Sequence, residues 1–420
     1  MSEPQVAFQK SSWFADCRPS DAYYEWITAK SDSDLQWTAN GFDTYGKTLK
    51  ALSDIFAWKQ SDAVLENVGI LSYSECLRRV QSLLDFVGLH DSKLCKAMRD
   101  SFENLSLSAR ARFMMAPETV YRISALRKEA KESIVALVGF LNAETACGDL
   151  TAGRPGQYWT ALGDFYYADG NLCPAAEHGQ VRWVADQSFC APKLAGTIPI
   201  DFFSPNVAHA KETTLQGRRN YDLELSPEEK FVICERLADA YTRIGEVSEA
   251  AAQLIKQFVR VIVPVKSPSG WGSTSKRSFP GRIMLQGVER VRPAKIAAAL
   301  VHEAIHQLLY VLEYVGRFVI IEPKDRVRSL WSGRVMAVDN FFHACFVWYG
   351  LANFWALARN SSAFDSDHVR QALNECLLGF RGENPIDVLK RHPGCVRGDA
   401  LAIADAFQSR LSDVMHTIAA

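Results

Sequence analysis

The sequence predicts an α+β protein that is mostly helical, with a small β portion leading into one helix of unusual composition. Long segments carry apolar residues at three- and four-residue spacing, which is typical of amphipathic helices. Runs rich in β-forming residues are short and few, and Gly, Pro and Ser bound them. The segment "AAALVHEAIHQLLYVLEYV", residues 297–315, is strongly apolar yet holds two histidines and a glutamate near its centre.

Composition favours a globular chain with no electrostatic preference for one partner. The 420 residues are 48% hydrophobic and 23% charged, enough for two or three ordinary domains or one large composite domain. Lys and Arg number 47 and Asp and Glu number 48, so no overall field attracts nucleic acid or an anionic membrane. Neither is expected as a partner, and the oligomeric state stays open.

The first residues, "MSEPQVAFQKSSWF", lack the charged stretch and apolar stretch of a secretory signal. The apolar segment 297–315 is too polar for a membrane span. A cytoplasmic protein is therefore expected. Ten cysteines without a C-x-x-C pair favour reduced, structural thiols over a zinc ribbon.

Three regions are predicted along the chain. Residues 1–146 form an N-terminal helical region, in which "SYSECLRRVQSLLDFVGL" and "PETVYRISALRKEAKESIVALVGFLNAE" have a helical pattern and Pro117 lies near the start of the second. Residues 147–258 form a mixed middle region with irregular Gly, Pro and aromatic residues, the β-rich run "GTIPIDFFSP", and a helix that begins at a capping box of Ser226 and Glu229.

Residues 259–420 form the predicted metal-binding catalytic region. "VRVIVPVKS" and "GRIMLQGV" predict two strands joined by the Ser/Gly loop "PSGWGSTSKRSFP", and they run directly into the helix of residues 297–315. The loop carries Trp271, Lys276 and Arg277, and it either closes over a ligand or is a plain hairpin loop. The apolar helix "DNFFHACFVWYGLANFWALA" and a helical tail follow.

His302 and His306 lie four residues apart, so both imidazoles share one helix face and can hold one metal ion. Burying imidazole and carboxylate groups without partners costs on the order of several kcal/mol, and a metal ion supplies partners at once. With Glu303 the pattern is H-E-x-x-H, and the preceding strands and Pro293 at the start suit a zincin-like helix. A pair of hydrogen-bonded core histidines is the alternative.

A site built on two histidines needs at least one more protein ligand. The metzincin pattern requires Gly and His at the positions that are Leu309 and Leu312 here, so that class is excluded. Glu313 lies only seven residues past the motif and is expected to face elsewhere, while Glu322 falls in a loop. His343, in the second apolar helix, is the favoured third ligand because nothing else polar there would pair with it.

Seven segments share a resemblance to one family: "LSARARFMMAP", "YWTALGD", "IPIDFFSP", "SFPGRIMLQG", "LVHEAIHQLLY", "SLWSGR" and "HACFVWYGLANFW". Together they resemble the HExxH-type 2-oxoglutarate-dependent peptide β-hydroxylases, the HExxH motif-containing proteins that modify ribosomally made peptides. The resemblance spans most of the chain. It implies that His302, His306 and His343 bind Fe(II) and that 2-oxoglutarate and O2 take the open positions. The β-carbon of a residue in a precursor peptide would be hydroxylated during natural-product maturation.

The resemblance also implies a cosubstrate anchor. The family tends to show Pro-Trp-Arg and then Arg-Pro in the connector, whereas this chain has Ser-Leu-Trp-Ser-Gly-Arg over residues 329–334. Arg334 is carried over as the group that grips a 2-oxoglutarate carboxylate, because a guanidinium fork binds carboxylate in two places. Arg328 is the fallback for the same role.

Three roles remain open for Glu303. It either orients a ligand histidine, ligates iron as the carboxylate of a facial triad, or acts as general base in a zinc metallopeptidase. The zinc peptidase is the rival enzyme class. A non-catalytic peptide-binding protein with a structural histidine cluster is the other alternative.

Overall fold

A computed structural model describes residues 49–59, 62–148, 156–168, 172–177, 180–185, 189–214, 224–267, 270–321, 323 and 326–419. Residues 49–55 are helical. The helices that follow are α1 (Asp62–His90), α2 (Ser92–Asn104), α3 (Leu107–Met115), α4 (Pro117–Ala125), α5 (Ala130–Gly148), α6 (Pro205–Thr214), α7 (Pro227–Val247), α8 (Glu249–Phe258), α9 (Pro293–Val315), α10 (Val338–Ala358), α11 (Ser366–Arg381), α12 (Pro385–Lys390) and α13 (Gly398–Ala419). The strands are β1 (Gln157–Trp159), β2 (Phe165–Ala168), β3 (Leu172–Glu177), β4 (Gln180–Ala185), β5 (Phe189–Cys190), β6 (Lys193–Leu194), β7 (Ile198–Pro199), β8 (Val261–Val265), β9 (Gly272–Ser275), β10 (Arg282–Gln286), β11 (Val327–Arg328) and β12 (Val335–Met336). The helical pattern predicted before residue 49 lies outside the described residues.

The described chain is mostly helical with a few small sheets, which agrees with the predicted α+β class. The capping box before α7 is confirmed, because the side chains of Ser226 and Glu229 each accept from the other residue's backbone N–H. Pro117 starts α4, where its missing N–H has no partner to lose. The pattern that follows Pro117 is divided between α4 and α5 by a turn at residues 126–129, which the continuous apolar spacing does not reveal.

Two apolar cores hold these elements together. The smaller core is built mainly from α1 to α5 and also contains Ala161 and Leu162. The larger core contains α7 to α10 and the C-terminal helices. Helix α9 belongs to the larger core, and Tyr314 near its end packs against the smaller one. The motif-bearing helix is therefore fixed from both sides.

A three-stranded mixed sheet with the order β8-β10-β9 leads into α9. Strand β10 runs parallel to β8, with Arg282 opposite Val261, and antiparallel to β9, with Ile283 opposite Ser275. The plain hairpin interpretation of the Ser/Gly loop is therefore wrong, since the loop contains β9 and the chain crosses over to reach β10. Gly, Ser and Thr dominate β9, and their pairing with β10 decides the strand rather than local propensity.

Helices α9 and α10 pack closely against each other. Pro293 starts α9 as predicted, and Gly350 of α10 lies so near that an added Cβ would stand 2.6 Å from Ile305 Cδ1. Both helices are long and apolar enough by composition to cross a membrane, but 83% and 72% of their most apolar windows are buried inside the protein. Such burial is consistent with the core helices of a soluble protein.

Candidate metal centre

The residues of the H-E-x-x-H pattern occupy the middle of α9. The ring centroids of His302 and His306 lie 5.0 Å apart, as expected for side chains one turn apart on one helix face. Both histidines keep part of their surface exposed, whereas Glu303 is 2% exposed. The two imidazoles are therefore partly accessible, whereas the carboxylate between them is buried.

Helix α10 brings His343 against His306. Their Nδ1 atoms are 3.4 Å apart, and the two rings are within 19° of parallel with centroids 5.6 Å apart. Two imidazole nitrogens at about 2.0–2.1 Å from one tetrahedral ion lie roughly 3.3–3.4 Å apart. The separation suits two ligands of one ion, and it also suits an N–H···N hydrogen bond between core histidines.

The three histidines do not close on one point. Within the part of the chain that the structure describes, Glu313, Asp339 and His343 form the group of three ligand-type side chains whose ligand atoms all lie within 4.8 Å of one another. His302 reaches the pair of His306 and His343 only through His306. A three-histidine site therefore requires at least one of the three imidazoles to turn about its side-chain bonds.

Burial keeps two of the imidazoles neutral. It lowers the pKa of His302, against a weaker opposing effect of the Glu303 charge. It lowers the pKa of His306 well below the usual value, and the neighbouring His302 and His343 add to the decrease. A neutral imidazole offers the lone pair that a metal ion needs, so both residues are prepared for ligation near neutral pH.

A charged cluster occupies the other side of His343. Its Nε2 atom lies 3.1 Å from Glu313 Oε2, and Arg277 forms ion pairs with both Glu313 and Asp339. The expectation that Glu313 faces away from the site is wrong, because seven residues make nearly two helical turns and return it to the face of His306. Burial acts to raise the pKa of Glu313, but the hydrogen bond to His343 and the charge of Arg277 are among the effects that outweigh it, so the pKa is lowered.

Glu303 is held by the edge strand of the small sheet. Ser275 Oγ donates to Glu303 Oε2 at 2.6 Å, and Tyr310, on α9, also hydrogen-bonds to Ser275. Burial raises the pKa of Tyr310, and the charge of Glu303 raises it further, so the phenol stays protonated. Sequence reasoning missed this link, since β9 was assigned to a loop.

Two tryptophans link the predicted cosubstrate-anchor segment, residues 329–334, to the histidines. Trp348 of α10 packs edge-on against His302, with ring centroids 6.3 Å apart. Trp331, in the turn between β11 and β12, stacks on Trp348 at 5.9 Å and donates from Nε1 to Cys376 O. An aromatic wall therefore flanks His302.

The two predicted anchor arginines lie on the exposed hairpin of β11 and β12. Arg328 Nη1 donates to Gly333 O at 2.8 Å, and Arg334 follows the tight turn at Gly333, which has a left-handed φ of 68°. Among the residues described, no hydrogen bond or ion pair joins either arginine to the histidines. Their role as cosubstrate anchors stays a prediction.

Comparison of the sequence with protein-family models gave no match, and comparison with curated proteins gave none either. The family resemblance therefore rests on the seven segments of the sequence that carry it. What the resemblance implies about iron, cosubstrate and substrate belongs to a proposal.

Proposed function

We propose that the protein is an Fe(II)- and 2-oxoglutarate-dependent oxygenase that hydroxylates the β-carbon of a residue in a ribosomally made peptide. The observation that carries this proposal is the approach of His343 to the H-E-x-x-H helix, with 3.4 Å between its Nδ1 and that of His306. The preference for iron and 2-oxoglutarate over zinc is supported by the resemblance of the seven segments.

The donor set fits an iron ion. Imidazole nitrogen is a ligand that suits Fe(II), and His302, His306 and His343 would hold the ion from two packed helices in a zincin-like arrangement. His302 and His306 remain partly exposed, which leaves an open side for small ligands. The depressed pKa values of these two histidines favour the neutral form that binds metal.

Iron with 2-oxoglutarate and O2 supplies the oxidising power that a hydroxylation of an unactivated carbon needs. The chain contributes binding, orientation and the exclusion of water. Arg334, whose guanidinium is exposed, would take a carboxylate of 2-oxoglutarate. Trp348 and Trp331 would shield the side of His302 from solvent and confine the peptide carbon that reacts.

The surroundings of Glu303 favour a role in orienting the ligand histidines over the role of general base in a peptidase. A general base must reach a water molecule, but Glu303 is 2% exposed and one of its oxygens already accepts the hydroxyl of Ser275. The charge of the buried Glu303 carboxylate instead acts on the imidazole of His302. Its hydrogen bond with Ser275 holds α9 against β9. These contacts support the oxygenase over the zinc metallopeptidase.

The test uses peptides encoded next to this gene as substrates, with Fe(II), 2-oxoglutarate and isotopically labelled O2. We expect succinate release and an intact peptide that gains one labelled oxygen, localised by fragmentation to a β-carbon. N-oxalylglycine, which cannot be decarboxylated, should block the reaction. Two shorter fragments carrying oxygen from water, formed with zinc and without 2-oxoglutarate, would establish the peptidase instead.

The non-catalytic alternative gives a third pattern in the same assay. A peptide-binding protein would retain the peptide unchanged with either metal, and 2-oxoglutarate would not be consumed. The three patterns do not overlap.

A further inference from the structure

We propose that Glu313 is a positioning residue of the metal centre, which fixes the tautomer and orientation of His343, and that Arg277 and Asp339 hold Glu313 in place. This inference rests on the proposed function only in requiring that His343 ligates the ion through Nδ1. Glu313 lies outside the H-E-x-x-H pattern itself, seven positions after His306.

The tautomer follows from the partners of the two ring nitrogens. An ionised carboxylate accepts hydrogen bonds and donates none, so the 3.1 Å contact with Glu313 Oε2 requires a proton on His343 Nε2. In a neutral imidazole the lone pair is then on Nδ1, the atom that faces His306. A histidine that ligates a metal commonly donates its other N–H to a carboxylate, which fixes the ring and strengthens the ligand.

Arg277 makes this arrangement rigid. It directly follows β9, and it pairs with Glu313 of α9 at 2.8 Å and with Asp339 of α10. The side chains of Glu313, Asp339 and Arg277 are 1%, 20% and 28% exposed, so the cluster is largely withdrawn from water. One guanidinium thereby joins the three elements that meet at the histidines.

A rival assignment puts the metal ion on the opposite side of His343, among Glu313, Asp339 and His343. In its favour, Glu313 Oε1 accepts no hydrogen bond from any described residue. Against it, the guanidinium of Arg277 already supplies the positive charge between the two carboxylates. An ion on Nε2 would also move the imidazole proton to Nδ1, where it would point at His306. The two assignments therefore differ in which variants lose the metal ion: the proposed site requires His302, whereas the rival site requires Asp339.

The experiment titrates the metal-free full chain with Co(II), whose visible absorption reports bound nitrogen ligands, and compares affinities. Glu313→Ala should weaken Co(II) binding by about 10–100-fold, the usual effect of losing such an orienting partner. Glu313→Gln, whose amide oxygen can still accept from Nε2–H, should lose less and serves if the alanine variant does not fold. Asp339→Asn, which weakens the ion pair that holds Arg277 in place, should lose less than Glu313→Ala.

Glu118→Gln is the matched control. Glu118 is also a buried glutamate that pairs with one arginine and one histidine, Arg282 and His209, and it makes no contact with the three proposed ligands among the described residues. Its substitution should leave Co(II) affinity unchanged. A general loss of packing would affect both glutamate variants alike.

A second readout separates positioning from structural support. In the Co(II) protein, nuclear magnetic resonance should show a paramagnetically shifted, slowly exchanging N–H proton from His343, and this proton should exchange rapidly in Glu313→Ala. Unchanged affinity and unchanged exchange in Glu313→Ala would overturn the inference while leaving the three-histidine site intact. Loss of metal in Asp339→Ala with full binding in His302→Ala would establish the rival assignment and remove the proposed site as well.

Discussion

The two ring nitrogens of His343 face two different environments. On the Nδ1 side lie His306 and, beyond it, His302, both neutral and partly exposed. On the Nε2 side lies a largely buried cluster of alternating charge made of Glu313, Arg277 and Asp339. The neutral side offers lone pairs to a metal ion, while the charged side already contains its own cation. Under the proposed assignment, charge balance favours the neutral side for the ion, so proximity of ligand-type atoms alone does not locate the metal site.

The largest expected effect comes from removing a ligand on the neutral side. His343→Ala, and likewise His306→Ala, should weaken iron binding by more than the roughly 10–100-fold that an orienting partner contributes. Metal analysis of anaerobically purified protein checks this. Full iron content in His306→Ala would show that the ion does not lie on the neutral side.

The next effect concerns the cosubstrate. Arg334→Ala should raise the 2-oxoglutarate concentration needed for half-maximal turnover by on the order of a hundredfold, equivalent to about 2–3 kcal/mol for a charge-assisted contact made in two places. Arg326→Ala, an exposed arginine before the same hairpin, is the control and should leave the requirement unchanged. If Arg328→Ala alone raises it, the anchor is Arg328.

The link between β9 and α9 should contribute measurably to stability. Ser275→Ala removes the hydroxyl that donates to buried Glu303 and should lower the free energy of unfolding by about 1–3 kcal/mol, with iron retained. Denaturant titration measures this change. Ser273→Ala on the same strand should change stability by at most about 0.5 kcal/mol. Equal effects of the two substitutions would remove the special role of Ser275.

His302 and His306 should also make the stability of the metal-free protein depend on pH. The folded-state pKa values of His302 and His306 are lowered, so below about pH 6.5 the unfolded chain binds protons that the folded metal-free chain does not. Stability of the metal-free protein should therefore fall as pH decreases below that value, by at most about 1.4 kcal/mol per pH unit for each histidine. A His302→Asn, His306→Asn double variant should lose much of this slope, and an unchanged slope would place its origin elsewhere.

The elements that local pattern controls could be predicted from the sequence. The capping box at Ser226, the proline starts of α4 and α9, and the helical faces of His302 and His306 all follow from spacing within one segment. Strand β9 could not be predicted in this way, because its Gly- and Ser-rich sequence forms a strand only when β10 is beside it.

The residues of the candidate site also fall into two groups, those that local sequence spacing indicates and those that it does not. The spacing of the α9 residues and the isolated position of His343 in an apolar helix indicate four members of the site: His302, Glu303, His306 and His343. Arg277 and Asp339 come from distant segments, and nothing in the local sequence pairs them with Glu313. The sequence did contain a signal for Glu313, since it lies seven positions after His306 and therefore on the same face of the helix.

The central claim is that the three histidines hold an iron ion that leaves room for 2-oxoglutarate. Its most direct test needs no peptide. Fe(II) is added under anaerobic conditions to the metal-free full chain with 2-oxoglutarate, and the visible charge-transfer absorption of the iron chelate is followed. We predict that the band appears with one equivalent of iron in the unmodified protein and in Glu118→Gln, and that it is lost in His302→Ala, His306→Ala and His343→Ala. Absence of the band in the unmodified protein, or its persistence in all three histidine variants, would contradict the account.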